Sequence, residues 1–190
     1  MSGASTPAGA RTDPRLALLV AAGVGLLLLR LRILHAPGAT RVALLTAVFA
    51  AILLTSLLVP VARDVARLRP AIVAAVGLAG VGLAALAAGP PVHSAFGASA
   101  LPLAFFAAVA EEALFRRTAY GWLACSGPAI AVAGSTLLFA AVHLPLYGVA
   151  AFPVDLGAGL LLSWQRWASG TWTIPAATHA AANLLAVMLR

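Results

Sequence analysis

The chain contains two glutamates, and they are adjacent: Glu111 and Glu112. They sit about ten residues into an apolar run, which at ~1.5 Å per helical residue is about 15 Å deep. That is near the middle of a bilayer core about 30 Å thick. An acid or an arginine at that depth costs roughly 2.5–3.5 kcal/mol on an insertion scale. Both glutamates and Arg116 turned to lipid would cost on the order of 8–10 kcal/mol, against a typical total stability of about 5–15 kcal/mol. These groups must face one another, other helices or a wet cavity. Glu112 and Arg116 are four apart, so they share a helix face and can pair as supporting residues. Glu111 is turned about 100° away, and the position four residues after it is Phe115. With no cation four residues on, a desolvated Glu111 carboxylate is expected to be unpaired. It would then accept a proton readily, as a general base near neutrality must.

Two further pairs follow at helical spacing. Phe139 and His143 share one face of the next apolar run, and His179 and Asn183 share one face of the last. Only small or aliphatic residues separate the members of each pair. One intramembrane histidine is as readily a packing residue as a functional one. Two histidines, an asparagine and an unexplained glutamate on three helices able to converge are hard to read as packing. Read alone, Glu111, His143 and His179 could hold zinc, because three protein ligands plus water is the catalytic pattern. HExxH is absent, however, and asparagine is a poor zinc ligand but a good oxyanion donor. The expectation is therefore no metal and no cofactor, with zinc as the alternative.

Other intramembrane chemistries fit less well. Ala124-Cys125-Ser126-Gly127 lacks the first glycine of a GxSG nucleophile motif. Paired membrane aspartates are absent, since Asp13 and Asp64 lie outside apolar runs and Asp155 stands alone at one edge. A proton-coupled transporter or relay is the competing class, because buried Glu, Arg and His also mark ion pathways. Inverted repeats would support it, and the sequence shows no internal repeat. A catalytically silent immunity or scaffold protein is the third class, and intact motifs speak against it.

Glu111-Glu112-Ala-Leu-Phe-Arg116 is an EExxxR motif, followed in order by FxxxH at Phe139–His143 and HxxxN at His179–Asn183. The ordered set resembles the CAAX protease and bacteriocin-processing family of intramembrane endopeptidases, which includes the CAAX prenyl endopeptidases. Ser169-Gly170-Thr171-Trp172 resembles that family's lead-in to its last motif. The resemblance covers roughly residues 100–185; residues 1–95 are similar only in being apolar helices. It implies a peptidase built of membrane helices around a polar cavity. It implies Glu111 as the base that activates water, with His143 helping to hold that water. His179 and Asn183 would stabilise the oxyanion, and Glu112 and Arg116 would support the site, without metal. The implied substrate is a membrane-associated or lipidated peptide.

The elements that must position these residues follow from composition. Of 190 residues, 63% are hydrophobic and 9% charged, against about 45–50% and about 25% in soluble domains. Mean hydropathy is +1.03. A water-soluble fold would leave apolar patches that so few charges could not cover, and disorder needs low hydrophobicity. The net charge of +7 comes entirely from arginine, mostly flanking apolar runs where it sets orientation and meets anionic lipid. No basic stripe carries interleaved aromatics, so nucleic-acid binding is not expected. Cys125 is the single cysteine, which excludes an intrachain disulfide framework.

An all-α polytopic membrane bundle of about seven transmembrane helices (six to eight) around a polar intramembrane cavity is expected. The spans are Leu16–Leu29, reaching about Leu34 if Arg30 and Arg32 snorkel to the interface, then Val42–Ala62, Ala71–Ala88, Leu101–Leu123, Pro128–Leu144, Leu156–Trp167 and Ile174–Leu189. Pro37-Gly38, Pro70, Gly89-Pro90-Pro91, Gly127-Pro128, Pro145, Pro153 and Gly170 fall between them. Residues 1–15 read as a disordered tail, 16–95 as N-terminal membrane helices and 96–190 as the catalytic helices of one integral bundle. An uncleaved first helix is preferred to a signal peptide, because no small-residue cleavage site follows. Arg11, Arg15, Arg63, Arg67, Arg69, Arg117 and Arg166 fall on one side, and Arg30, Arg32, Arg41 and Arg190 on the other. That balance favours a cytoplasmic N-terminus. The lysine-free, Ala/Leu-rich composition points to a bacterial cytoplasmic membrane.

Overall fold

The computed structural model describes residues 13–60, 64–87 and 100–189, and among these there is helix and no strand. The helices are α1 (Pro14–Ile33), α2 (Gly38–Leu58), α3 (Pro70–Ala87), α4 (Leu101–Glu112), α5 (Tyr120–Leu123), α6 (Pro128–Tyr147), α7 (Phe152–Ser169) and α8 (Thr173–Met188). A π-helical stretch, Ala113–Ala119, joins α4 to α5 without a break, so the expected single run Leu101–Leu123 is realised as one rod. Of the helices, α1, α2 and α6 are long and apolar enough to cross a membrane; α8 and most of α3 are apolar but shorter.

The elements start where capping chemistry allows. The Asp13 side chain accepts a hydrogen bond from the Arg15 backbone N–H, and Pro14 occupies the first turn of α1, where its missing N–H is harmless. Helix therefore begins inside the segment expected to be a disordered tail, whose residues 1–12 lie outside the described residues. So do Gly89-Pro90-Pro91 and most of the loop before α4. Two prolines do not act as breaks. Pro145 lies inside α6, which runs on to Tyr147, and Pro153 stands in the first turn of α7. Near its end α6 has little left to lose when the ring removes one backbone bond.

Polarity is arranged as lipid requires. Leu54, Leu83 and Leu137 are more than half exposed, whereas Arg30, Glu111, Glu112, Arg116, His143, Gln165 and Arg166 are all buried. Apolar side chains cover the outside, while these polar and charged side chains turn into the bundle. Leu27 of α1, Phe49 and Ile52 of α2, Phe115, Phe139 of α6 and Leu162 of α7 share one apolar cluster. The rods α4 and α8 pack together, as do α6 and α7. With three helices long and apolar enough to cross a bilayer, the protein is an integral membrane protein, all-helical among the described residues.

The segment after α2 is docked to the bundle. Backbone N–H groups of Arg67 and Leu68 donate to the carbonyl of Ala168 at 2.9 and 3.0 Å. The Arg166 guanidinium pairs with Asp64 at 3.0 Å, and its Nε donates to the Arg116 carbonyl at 2.9 Å. Arg117 donates to the carbonyls of Ser56 and Leu57. Arg117, Arg166 and Arg67 thus gather at one end of the bundle, as their sequence grouping suggests.

Candidate active site

The π-helical stretch follows the two glutamates directly. Thr118 Oγ1 donates to the carbonyl of Ala113, five residues back, at 3.1 Å. Such widened turns occur mostly singly and often at functional sites. Glu112, at the last α-helical position, keeps its i,i+4 relation to Arg116, with Oε2 and Nε 3.3 Å apart. The two atoms lack hydrogen-bond alignment, so the contact is electrostatic. Arg116 is further held by Nη2 donating to the Gly159 carbonyl at 3.1 Å and by its guanidinium lying over the Phe139 ring, 4.7 Å from the centroid. A desolvated cation over an aromatic face is favourable. Glycine at 159 lets α7 lie close against α6, because a Cβ there would lie 3.2 Å from the Thr136 carbonyl and 3.3 Å from Phe139.

The histidines come from α6 and α8. His143 Nδ1 is 2.8 Å from the Phe139 carbonyl. A carbonyl only accepts, so Nδ1 carries the proton and Nε2 faces the other way. Nε2 lies 3.6 Å from Glu111 Oε2. His179 Nδ1 donates to Glu112 Oε1 at 3.0 Å, and its Nε2 is 4.0 Å from the same Glu111 oxygen. Both Nε2 atoms therefore converge on Glu111 Oε2 from beyond direct hydrogen-bond range, at separations one water molecule can bridge. Phe139 braces both rings, with centroids 4.4 Å from His143 and 5.6 Å from His179.

One expectation is overturned. Glu111 is not an unpaired carboxylate: Arg30 Nη1 of α1 donates to Glu111 Oε1 at 2.6 Å. Arg30 does not snorkel to an interface; it is 6% exposed. Spacing on a single helix cannot reveal a partner on another helix. A signal was nevertheless present. Arg30 is in phase with the buried positions Val20, Gly23 and Leu27 of α1, three to four residues apart and so on one helix face, whereas Arg32 is exposed.

Asn183 lies one turn beyond His179, and its Nδ2 donates to the Ala104 carbonyl of α4 at 3.2 Å. It borders the same cavity of about 800 Å³ as Arg30, Glu111, Phe139, His143 and His179. Asp155 borders it as well, so that acid does not stand apart from the site. The remaining lining is largely aliphatic, including Leu103, Leu146 and Leu162. The structure thus brings Glu111, Glu112, Arg116, Phe139, His143 and His179 into one contact network and places Asn183 on its rim. Among the described residues, no group of three or more His, Cys, Asp and Glu side chains is arranged to hold a metal ion.

Residues 93–185 match the family model described as type II CAAX prenyl endopeptidase Rce1-like. All three motifs fall inside that stretch. Searches of curated proteins and of solved structures find no significant match.

Proposed function

With residues 93–185 belonging to the type II CAAX prenyl endopeptidase Rce1-like family, we propose that this protein is an intramembrane endopeptidase. It hydrolyses a peptide bond of a membrane-associated or lipidated chain, using a water activated by Glu111. The observation that carries the reading is the convergence of His143 and His179 Nε2 on one oxygen of Glu111, at 3.6 and 4.0 Å.

Each residue then has a physical task. A water between these groups gives a proton to Glu111 Oε2 as its oxygen attacks the scissile carbonyl carbon. The His143 Nε2 lone pair orients that water. The carbonyl oxygen gathers charge as the tetrahedral intermediate forms, and donors fixed beforehand around it stabilise that charge. His179 serves this role in its doubly protonated form, in which Nδ1–H donates to the Glu112 carboxylate and Nε2–H is left for the oxyanion. The side-chain amide of Asn183 supplies the second donor. Glu111 then passes its proton to the departing amine nitrogen as the C–N bond breaks.

The metal-free form is favoured by electrostatics. The Arg30 guanidinium 2.6 Å from Glu111 repels a dication at the same carboxylate. Chelator treatment is expected to leave cleavage unchanged; loss that zinc restores would install Glu111, His143 and His179 as ligands instead. The main test uses protein reconstituted in liposomes with a panel of lipidated and membrane-anchored peptides, read by mass spectrometry. Glu111→Gln is expected to abolish cleavage in protein that stays folded, at a lower melting temperature because Arg30 loses its counter-charge. Undiminished cleavage by that variant would remove Glu111 as the base. The N-terminus is placed in the cytoplasm, and the membrane is read as that of a bacterium.

A further inference from the structure

Arg30 lies outside the stretch that matches the family model and outside all three motifs, yet it makes the shortest polar contact to Glu111. Its Nη1 is 2.6 Å from Oε1, with both side chains almost fully buried. We infer that Arg30 is a positioning residue for the general base: α1 fixes one oxygen of Glu111 so that the other faces His143 and His179. The inference rests on the peptidase reading of Glu111 and deepens it.

Three observations carry it. First, the two carboxylate oxygens have separate partners. Oε1 meets the guanidinium, and Oε2 is the oxygen nearest both imidazoles. A charge-assisted bond to a rigid guanidinium fixes both the rotation and the charge of the acid. Second, no other arginine reaches Glu111 within ion-pair distance among the described residues, since Arg116 on its own rod is engaged with Glu112. The remaining facing groups are His143 from α6, an acceptor at Nε2; His179 from α8, farther away at 4.0 Å, whose doubly protonated form adds to the attraction; Arg41 of α2, on the wall of the same cavity; and Asp155 across the cavity, which repels. Third, Arg30 is anchored by its backbone in a packed helix face. Leu27 and Ile33 on either side of it belong to the core cluster that includes Phe115 and Phe139. The guanidinium is therefore delivered to one place. A buried carboxylate deprived of such a partner neutralises itself by taking up a proton, and a protonated Glu111 cannot act as a base.

The presence of just two glutamates allows a test that needs no substrate. Full-length protein labelled with carbon-13 at the glutamate side-chain carboxyl gives two resonances, and Glu111→Gln assigns one of them. At neutral pH the Glu111 resonance is expected at the ionised position in wild type and in Arg30→Lys. In Arg30→Met it should move to the protonated position, with Glu112 unmoved. In the cleavage assay, Arg30→Met is expected to lose at least 100-fold in kcat with KM within about threefold. Arg30→Lys should recover to within about tenfold of wild type, and Arg32→Met should be unchanged. A Glu111 that stays ionised in a folded Arg30→Met, or a folded Arg30→Met whose kcat is within threefold of wild type, overturns the inference. Should Arg30→Met not fold, an equal loss of kcat in folded Arg30→Lys and Arg30→Gln overturns it too, because a retained cation would then count for nothing. If wild type cleaves no peptide of the panel while the resonance still follows Arg30, the peptidase reading fails and the positioning of Glu111 stands.

Discussion

The two imidazoles are oriented by different partners. His143 donates from Nδ1 to a neutral backbone carbonyl, which fixes a tautomer and leaves Nε2 an acceptor. His179 donates from Nδ1 to a carboxylate that itself contacts Arg116. Their loss should therefore differ in character. His143→Ala is expected to reduce kcat by about 10²–10⁴, the usual range for losing an acid–base partner. If Asn183 donates to the oxyanion as proposed, Asn183→Ala should cost about 10²–10³ in kcat, with KM nearly unchanged. Steady-state kinetics on a single cleavable peptide separates these outcomes. A dominant KM effect for Asn183→Ala would make that residue a substrate contact rather than a transition-state donor.

Gly170, between α7 and α8, stands at φ +71°, and a Cβ there would lie 2.6 Å from the Asp64 carbonyl and 2.9 Å from the Ala66 nitrogen. The obstacles are backbone atoms, and the conformation itself disfavours a side chain. Gly170→Ala should thus destabilise the fold by about 1–3 kcal/mol, while Gly82→Ala, facing open space, should be neutral or slightly stabilising. Denaturation in detergent measures both. The Ser169-Gly170-Thr171-Trp172 turn thus seats the segment that follows α2. Much of the helix pattern is legible in the sequence, because apolar runs bounded by Pro and Gly mark the starts of α3, α6 and α8 to within a residue. Convergence of the two histidines is legible from i,i+4 spacing on three separate runs. The π-helical stretch is not, since its composition differs in no way from α-helix. The Arg30–Glu111 pair is also invisible to helical spacing, being a contact across 81 positions of chain.

The cavity and the docked arginine cluster occupy opposite ends of the bundle. Arg30 near the end of α1, Leu45 near the start of α2 and Tyr147 at the end of α6 border the cavity, while Arg117, Arg166 and Arg67 gather at the other end. The exposed Cys125 between α5 and α6 lies on the same side as Arg117 and is the sole cysteine. With the N-terminus in the cytoplasm, a membrane-impermeant maleimide should label Cys125 in inverted vesicles and not in intact cells; the reverse result inverts the orientation and moves the cavity mouth to the cytoplasmic side. The same vesicles should show no Glu111-dependent ion movement, and a flux abolished by Glu111→Gln would favour a relay over a hydrolase. The guanidinium that meets Glu111 has one further implication, for protein engineering. A hybrid that kept every residue of the C-terminal half but borrowed its first hairpin from an unrelated membrane protein would inherit all three signatures and still lack the counter-charge, so any working transplant has to carry one arginine across the junction.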